Sequence, residues 1–123
     1  MNASKRLVLA CSSLVAVLAM AGCGGSSYAA PVCTVDTAVA VTSVTISGSS
    51  FSSNCIKVAA GTTVTFTNSD IIAHTVTADG VPAAYDSGTL LPGQAYQHVY
   101  GAAGTSTYHC KIHTGMTGTV FVQ

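Results

Sequence analysis

Between Val39 and Val122 apolar and small polar residues alternate in short runs broken by glycine, and no stretch carries a helical period. Thr63-Val64-Thr65-Phe66-Thr67 has the pattern in its simplest form. A period of two puts Val64 and Phe66 on one face and the threonines on the other, the signature of a strand with one buried side. Val39 and Val41 share one parity while Val44 and Ile46 share the other, a phase slip that predicts a bulge or bend between them. Gly48-Ser49-Ser50 predicts a turn, after which Phe51 returns to the core. Ile56 and Val58, His74 to Thr77, Tyr96 to Tyr100, Thr107 to Cys110 and Thr119 to Val122 complete the set. Seven or eight short strands in about 90 residues predict an all-β sandwich. Architecture alone assigns no chemistry.

The first residues are of another kind. Lys5 and Arg6 precede an apolar run from Leu7 to Met20, too short for a membrane span and suited to an export signal. Met20-Ala21-Gly22-Cys23 resembles a bacterial lipobox, in which Cys23 is acylated and becomes the new N-terminus. On this reading residues 1–22 are a signal peptide, 23–34 a Gly/Ser/Ala tether and 35–123 the folded domain. The domain is then exported and lipid-anchored at the periplasmic or cell-surface face of a membrane. Removing the signal leaves Lys57 and Lys111 against Asp36, Asp70, Asp79 and Asp86, a side-chain charge of −2. No basic stretch points to nucleic acid, and strong charge steering of any encounter is not expected.

Five cysteines divide among different uses. Cys11 leaves with the signal and Cys23 takes the lipid. Cys33 and Cys55 form a candidate disulfide, which an exported location permits. Such a bridge closes a loop of 22 residues, worth about 3 kcal/mol by loop entropy. Two free, buried thiols are the alternative.

Cys110 remains, within Cys110-Lys111-Ile112-His113-Thr114-Gly115-Met116. Cys, His and Met recur at equal spacings of three, and a further histidine, His74, lies 36 residues upstream of the cysteine. One thiolate and two imidazoles with a weak axial thioether make a blue-copper donor set. Zinc prefers four firm tetrahedral ligands and makes little use of Met. His109, adjacent to the cysteine, is turned away by strand alternation. His98, on one face with Tyr96 and Tyr100, reads as a packed or hydrogen-bonded strand histidine.

From Val39 to Gln123 the chain resembles the cupredoxins of the plastocyanin and amicyanin group. Three segments carry the likeness: Gly61 to Asn68 with Ala73-His74-Thr75-Val76; Asp86-Ser87-Gly88-Thr89-Leu90 with Pro92-Gly93-Gln94; and Tyr108-His109-Cys110 through His113 to Met116-Thr117-Gly118. The gap from His113 to Met116 is similar to amicyanin's, and Ile112 stands where many relatives have proline. The resemblance implies a cupredoxin-like Greek-key sandwich holding one copper ion, Cu(I)/Cu(II), on His74, Cys110, His113 and Met116. It implies that the Thr75 backbone N–H faces the cysteine sulfur. It also implies an electron port at the His113 edge, within an apolar patch of loop residues that include Ile71, Ile72, Pro82, Ala83, Ala84, Leu91, Pro92 and Ile112. Lys111 would be the patch's one nearby cation.

The expected function is extracytoplasmic shuttling of single electrons by a monomer that meets its redox partners in transient, weakly charged contacts. Copper storage or delivery outside the cytoplasm is the alternative. An enzyme is not expected: the trinuclear cluster of multicopper oxidases needs His-x-His pairs, and the domain has neither these nor an acid/base pair or nucleophile triad.

Overall fold

The computed structural model describes residues 29–81 and 83–123. The expected signal peptide, the lipobox with Cys23 and most of the tether therefore lie outside the described residues.

Nine strands form two sheets. They are β1 (Val39–Ala40), β2 (Ser43–Ser47), β3 (Ser50–Phe51), β4 (Cys55–Val58), β5 (Thr62–Asn68), β6 (Thr77–Ala78), β7 (Ala95–Tyr100), β8 (Gly104–His109) and β9 (Thr117–Val122). One sheet has the order β1-β4-β9-β8-β6 and the other β3-β2-β5-β7. The count exceeds seven or eight because β1, β3 and β6 are two-residue pieces. The phase slip between Val41 and Val44 marks a bend at Thr42 and not a bulge. β1 pairs with β4 in one sheet and β2 with β5 in the other, so the chain crosses the sandwich there. Both residues of β1 are exposed, so Val39 does not face the core as its parity suggested.

The alternation in β5 does what the pattern predicts: Val64 and Phe66 are fully buried. Facing them from the other sheet are Ile56, Tyr108 and Val120, also fully buried. Tyr108 joins the layers, with Phe51 and Phe66 edge-on at ring-centroid distances of 4.9 and 5.3 Å. Such pairs add about 0.5–1.5 kcal/mol beyond the area they bury. Cys33 and Cys55 are disulfide-bonded, with Cα atoms 5.5 Å apart, which ties residues ahead of β1 to the start of β4.

Two local features shape the end of the sandwich that carries the histidines. The β2–β3 hairpin turns through Gly48 and Ser49 with φ of 56° and 55°, the doubly positive geometry of a two-residue turn that matches strand twist. Ser49 takes it without being glycine. In the other sheet, β8 and β9 run antiparallel with His109 opposite Thr117, so Cys110 to Met116 is the loop that joins them.

Tyr108 pairs with Gly118 across those strands. A Cβ at Gly118 would stand 2.2 Å from Tyr108 Cζ. Gly118→Ala must therefore displace a ring that is locked between two others. We expect this variant to lose about 1–3 kcal/mol of stability, read as a lower denaturant midpoint with unchanged slope.

Candidate metal centre

Asn68, fully buried at the end of β5, shapes the approach to His74. Its side-chain amide donates to the carbonyls of Ile72 and Leu90, each at 2.8 Å, and its Oδ1 accepts from the Asp70 N–H at 2.9 Å. All its polar atoms are thus used, as burial requires. The segment 74–77, expected as a strand, has one backbone bridge at His74 and becomes strand only at Thr77, the start of β6. His74 exchanges backbone bonds with Leu90 at 3.1 and 2.8 Å. The next N–H groups go to side chains: Thr75 to Cys110 Sγ at 3.3 Å and Val76 to Ser87 Oγ at 2.8 Å. Side-chain acceptors have replaced the ladder.

Cys110 follows β8 directly. With Tyr108 inward and His109 outward, alternation returns Cys110 to the interior, where it is 4% exposed. Its N–H donates to the Met116 carbonyl at 3.0 Å, closing the loop. Lys111 N–H donates to Thr75 Oγ1 at 2.8 Å, so both the backbone and the side chain of Thr75 hold this loop. That second contact was not legible in the sequence, where the side chain could equally have faced solvent.

Three side chains converge. His74 Nδ1 and His113 Nδ1 are 3.1 Å apart, and they lie 3.9 and 3.8 Å from Cys110 Sγ. A single ion with bonds of about 2 Å, the usual imidazole–metal length, reaches all three corners of such a triangle. Two imidazoles and a thiol fit copper better than a hard cation. The trio fits a copper site. His74 is fully buried, whereas His113 is partly exposed. Met116 is 5% exposed, in the same loop.

Residues 38–123 match the family of copper binding proteins described as plastocyanin/azurin. The chain belongs to this family. Amicyanin-alpha of Methylorubrum extorquens is 32% identical over 85 residues, 67% of this chain and 71% of that protein. Plastocyanin of Scenedesmus fuscus is 32% identical over 84 residues, 59% and 86% of the two chains. Among solved structures, a purple cupredoxin from Nitrosopumilus maritimus superposes with a TM-score of 0.62 at 25% identity, over 68% of this chain and all of that one. A reduced amicyanin variant gives 0.62 at 32% identity, over 73% and 86%.

One further neighbour corrects the sequence reading. The copper-containing nitrite reductase of Thermus scotoductus shares the fold with a TM-score of 0.60 at 25% identity, over 72% of this chain and 25% of that one. The absence of His-x-His pairs and of an acid/base pair therefore does not exclude enzymes, because a cupredoxin fold also forms part of an enzyme. Fold alone does not separate these cases.

The other singled-out residues fall in several places. Ile71, Leu91 and Ile112 are 89%, 54% and 47% exposed, and Pro92 is exposed; Pro82 lies outside the described residues. Lys111 is not a free cation, because its ammonium pairs with Asp86 at 2.5 Å, which holds the Asp86 carboxyl below its usual range. His109 Nδ1 contacts Asp79 at 2.5 Å. His98 packs on Tyr85, with ring centroids 4.0 Å apart, and edge-on to Tyr100 at 4.7 Å. Burial lowers its pKa. Sequence reasoning missed Asp70, which it counted only as a charge. Asp70 Oδ2 lies 3.0 Å from His74 Nε2; the signal was its position four residues before the histidine.

Burial alone would raise the Cys110 thiol, but hydrogen bonds, led by those from the backbone N–H groups of Thr75 and His113, outweigh it and lower the pKa from 9.0 to about 6. A thiol whose pKa falls on folding stabilises the fold fully above its unfolded value, and that contribution is lost as pH drops through the folded one. In the metal-free protein we expect thiolate absorbance to appear with a midpoint near pH 6, and stability to decline as pH falls from about 9 to about 6. A thiolate midpoint at the ordinary cysteine value would contradict this.

Proposed function

We propose that this chain is an exported blue-copper protein that passes single electrons between redox partners. The observation that carries the reading is the triangle of His74, Cys110 and His113, with His74 on a backbone bridge to Leu90, Cys110 directly after β8 and His113 in the loop that the Cys110–Met116 hydrogen bond closes. Met116, buried in the loop that Cys110 and its own carbonyl close, would supply a thioether to a copper ion held there. When bound there, copper supplies a one-electron couple. The protein's part is to keep the donors still in both charge states. The His74–Leu90 bridge, the Thr75 N–H on the Cys110 sulfur and the Lys111 bond to Thr75 Oγ1 all serve that end.

Electrons enter and leave at the partly exposed His113. Ile112, Leu91, Pro92 and Ile71 offer exposed apolar surface in the surrounding loops, and Asp86 already neutralises Lys111. Partner contacts are accordingly small, transient and weakly charged. The protein acts as a monomer. Residues 1–22 direct export, Cys23 carries the lipid, residues 23–34 tether the domain to the membrane, and residues 35–123 form the copper domain. The Cys33–Cys55 disulfide suits an oxidising compartment.

Adding Cu(II) to the exported protein should produce an intense thiolate-to-copper band that ascorbate bleaches reversibly. Cys110→Ser should abolish the colour, and Met116→Leu should keep the copper while changing the potential. A colourless, readily stripped complex in the wild type would instead mark copper storage or delivery. For the anchor, radiolabelled palmitate should enter the wild type and not Cys23→Ser; no incorporation into the wild type removes the lipid from the proposal.

A further inference from the structure

Asp70 sits in the loop between β5 and His74, and its two carboxylate oxygens do different jobs. Oδ1 accepts from the N–H of the next residue, Ile71, at 2.8 Å, a local turn contact. Oδ2 reaches further. It accepts from the Ser49 N–H at 2.8 Å, 21 residues away at the tip of the β2–β3 hairpin, and it lies 3.0 Å from His74 Nε2. A turn-forming role needs only the first oxygen.

An ionised carboxylate has lone pairs and no proton to give. The Asp70–His74 contact is therefore a hydrogen bond only if Nε2 carries the imidazole proton, which leaves Nδ1 bare. Nδ1 is the atom that faces Cys110 Sγ and His113 Nδ1. The ring is fully buried, so no solvent contact competes to set its tautomer. The same carboxylate oxygen is held by the Ser49 N–H, at a turn residue with φ of 55°.

We propose that Asp70 is a positioning residue for His74: it selects the Nε2–H tautomer and places a negative charge behind the ring, so that the site favours the oxidised metal. This rests on the blue-copper reading of the trio. Outer-shell carboxylates of this kind commonly change metal affinity by about 10- to 100-fold when removed. A charge behind a ligand weighs more heavily on Cu(II) than on Cu(I). Asp70→Asn should therefore lower the ratio of Cu(II) to Cu(I) affinity about tenfold, a rise in potential of ~59 mV for a one-electron couple.

Two measurements test the inference. In the metal-free wild-type protein at mildly alkaline pH, nitrogen chemical shifts should report His74 as the Nε2–H tautomer; an Nδ1–H tautomer overturns the proposal. In the copper-loaded protein, voltammetry should find the potential of Asp70→Asn raised; an unchanged potential in a folded variant overturns it. If Asp70→Asn does not fold, the tautomer in the wild type decides alone. A wild type that binds copper without colour defeats the blue-copper reading, while the tautomer still decides the Asp70–His74 contact.

Discussion

Tyr108, wedged between Phe51 and Phe66, couples the two sheets, and the geometry of the metal centre follows from that contact. β8 carries Tyr108 inward, and two residues later the same parity brings Cys110 inward at the end of the strand. Phe66 lies on β5, whose last residue, Asn68, directs the chain toward His74. The ring contact thus fixes the relative position of two strands that deliver donors 36 residues apart in sequence. Packed aromatic interiors deform little, which keeps these two strands in a fixed relation.

Around the donors the backbone ladder gives way to side-chain hydrogen bonds. Thr75, Ser87, Asn68 and Asp70 each receive or donate bonds that a regular strand would have made through its backbone. Buried polar networks of this sort are costly when incomplete and rigid when satisfied. Here they clamp three segments, residues 68–75, 86–90 and 110–116, against one another. The acidic residues join in. Asp86 pairs with the ammonium of Lys111, whereas Asp70 and Asp79 contact the imidazoles of His74 and His109 and keep their negative charge wherever those rings are neutral.

What could be read from the sequence was what is local. The β5 alternation, the turn at Gly48, the inward parity of Cys110 and the equal spacing of Cys110, His113 and Met116 need only neighbouring residues and a strand or loop period. The phase slip near Val41 was visible too, but not that the chain crosses between sheets there. Segment 74–77 carried strand spacing, and the presence of Thr75, Ser87 and the Cys110 sulfur as alternative acceptors decided against a full ladder.

The sequence by itself determined the class of fold and the spacing of Cys110, His113 and Met116 along one loop, because periodicity and short spacing are properties of the chain. Only the tertiary structure decided that His74 closes a triangle with Cys110 and His113, that Lys111 is neutralised by Asp86, and that Asp70 backs the buried imidazole. Each of these depends on groups brought together from distant positions. No local pattern encodes such distances; the packing of the two sheets does.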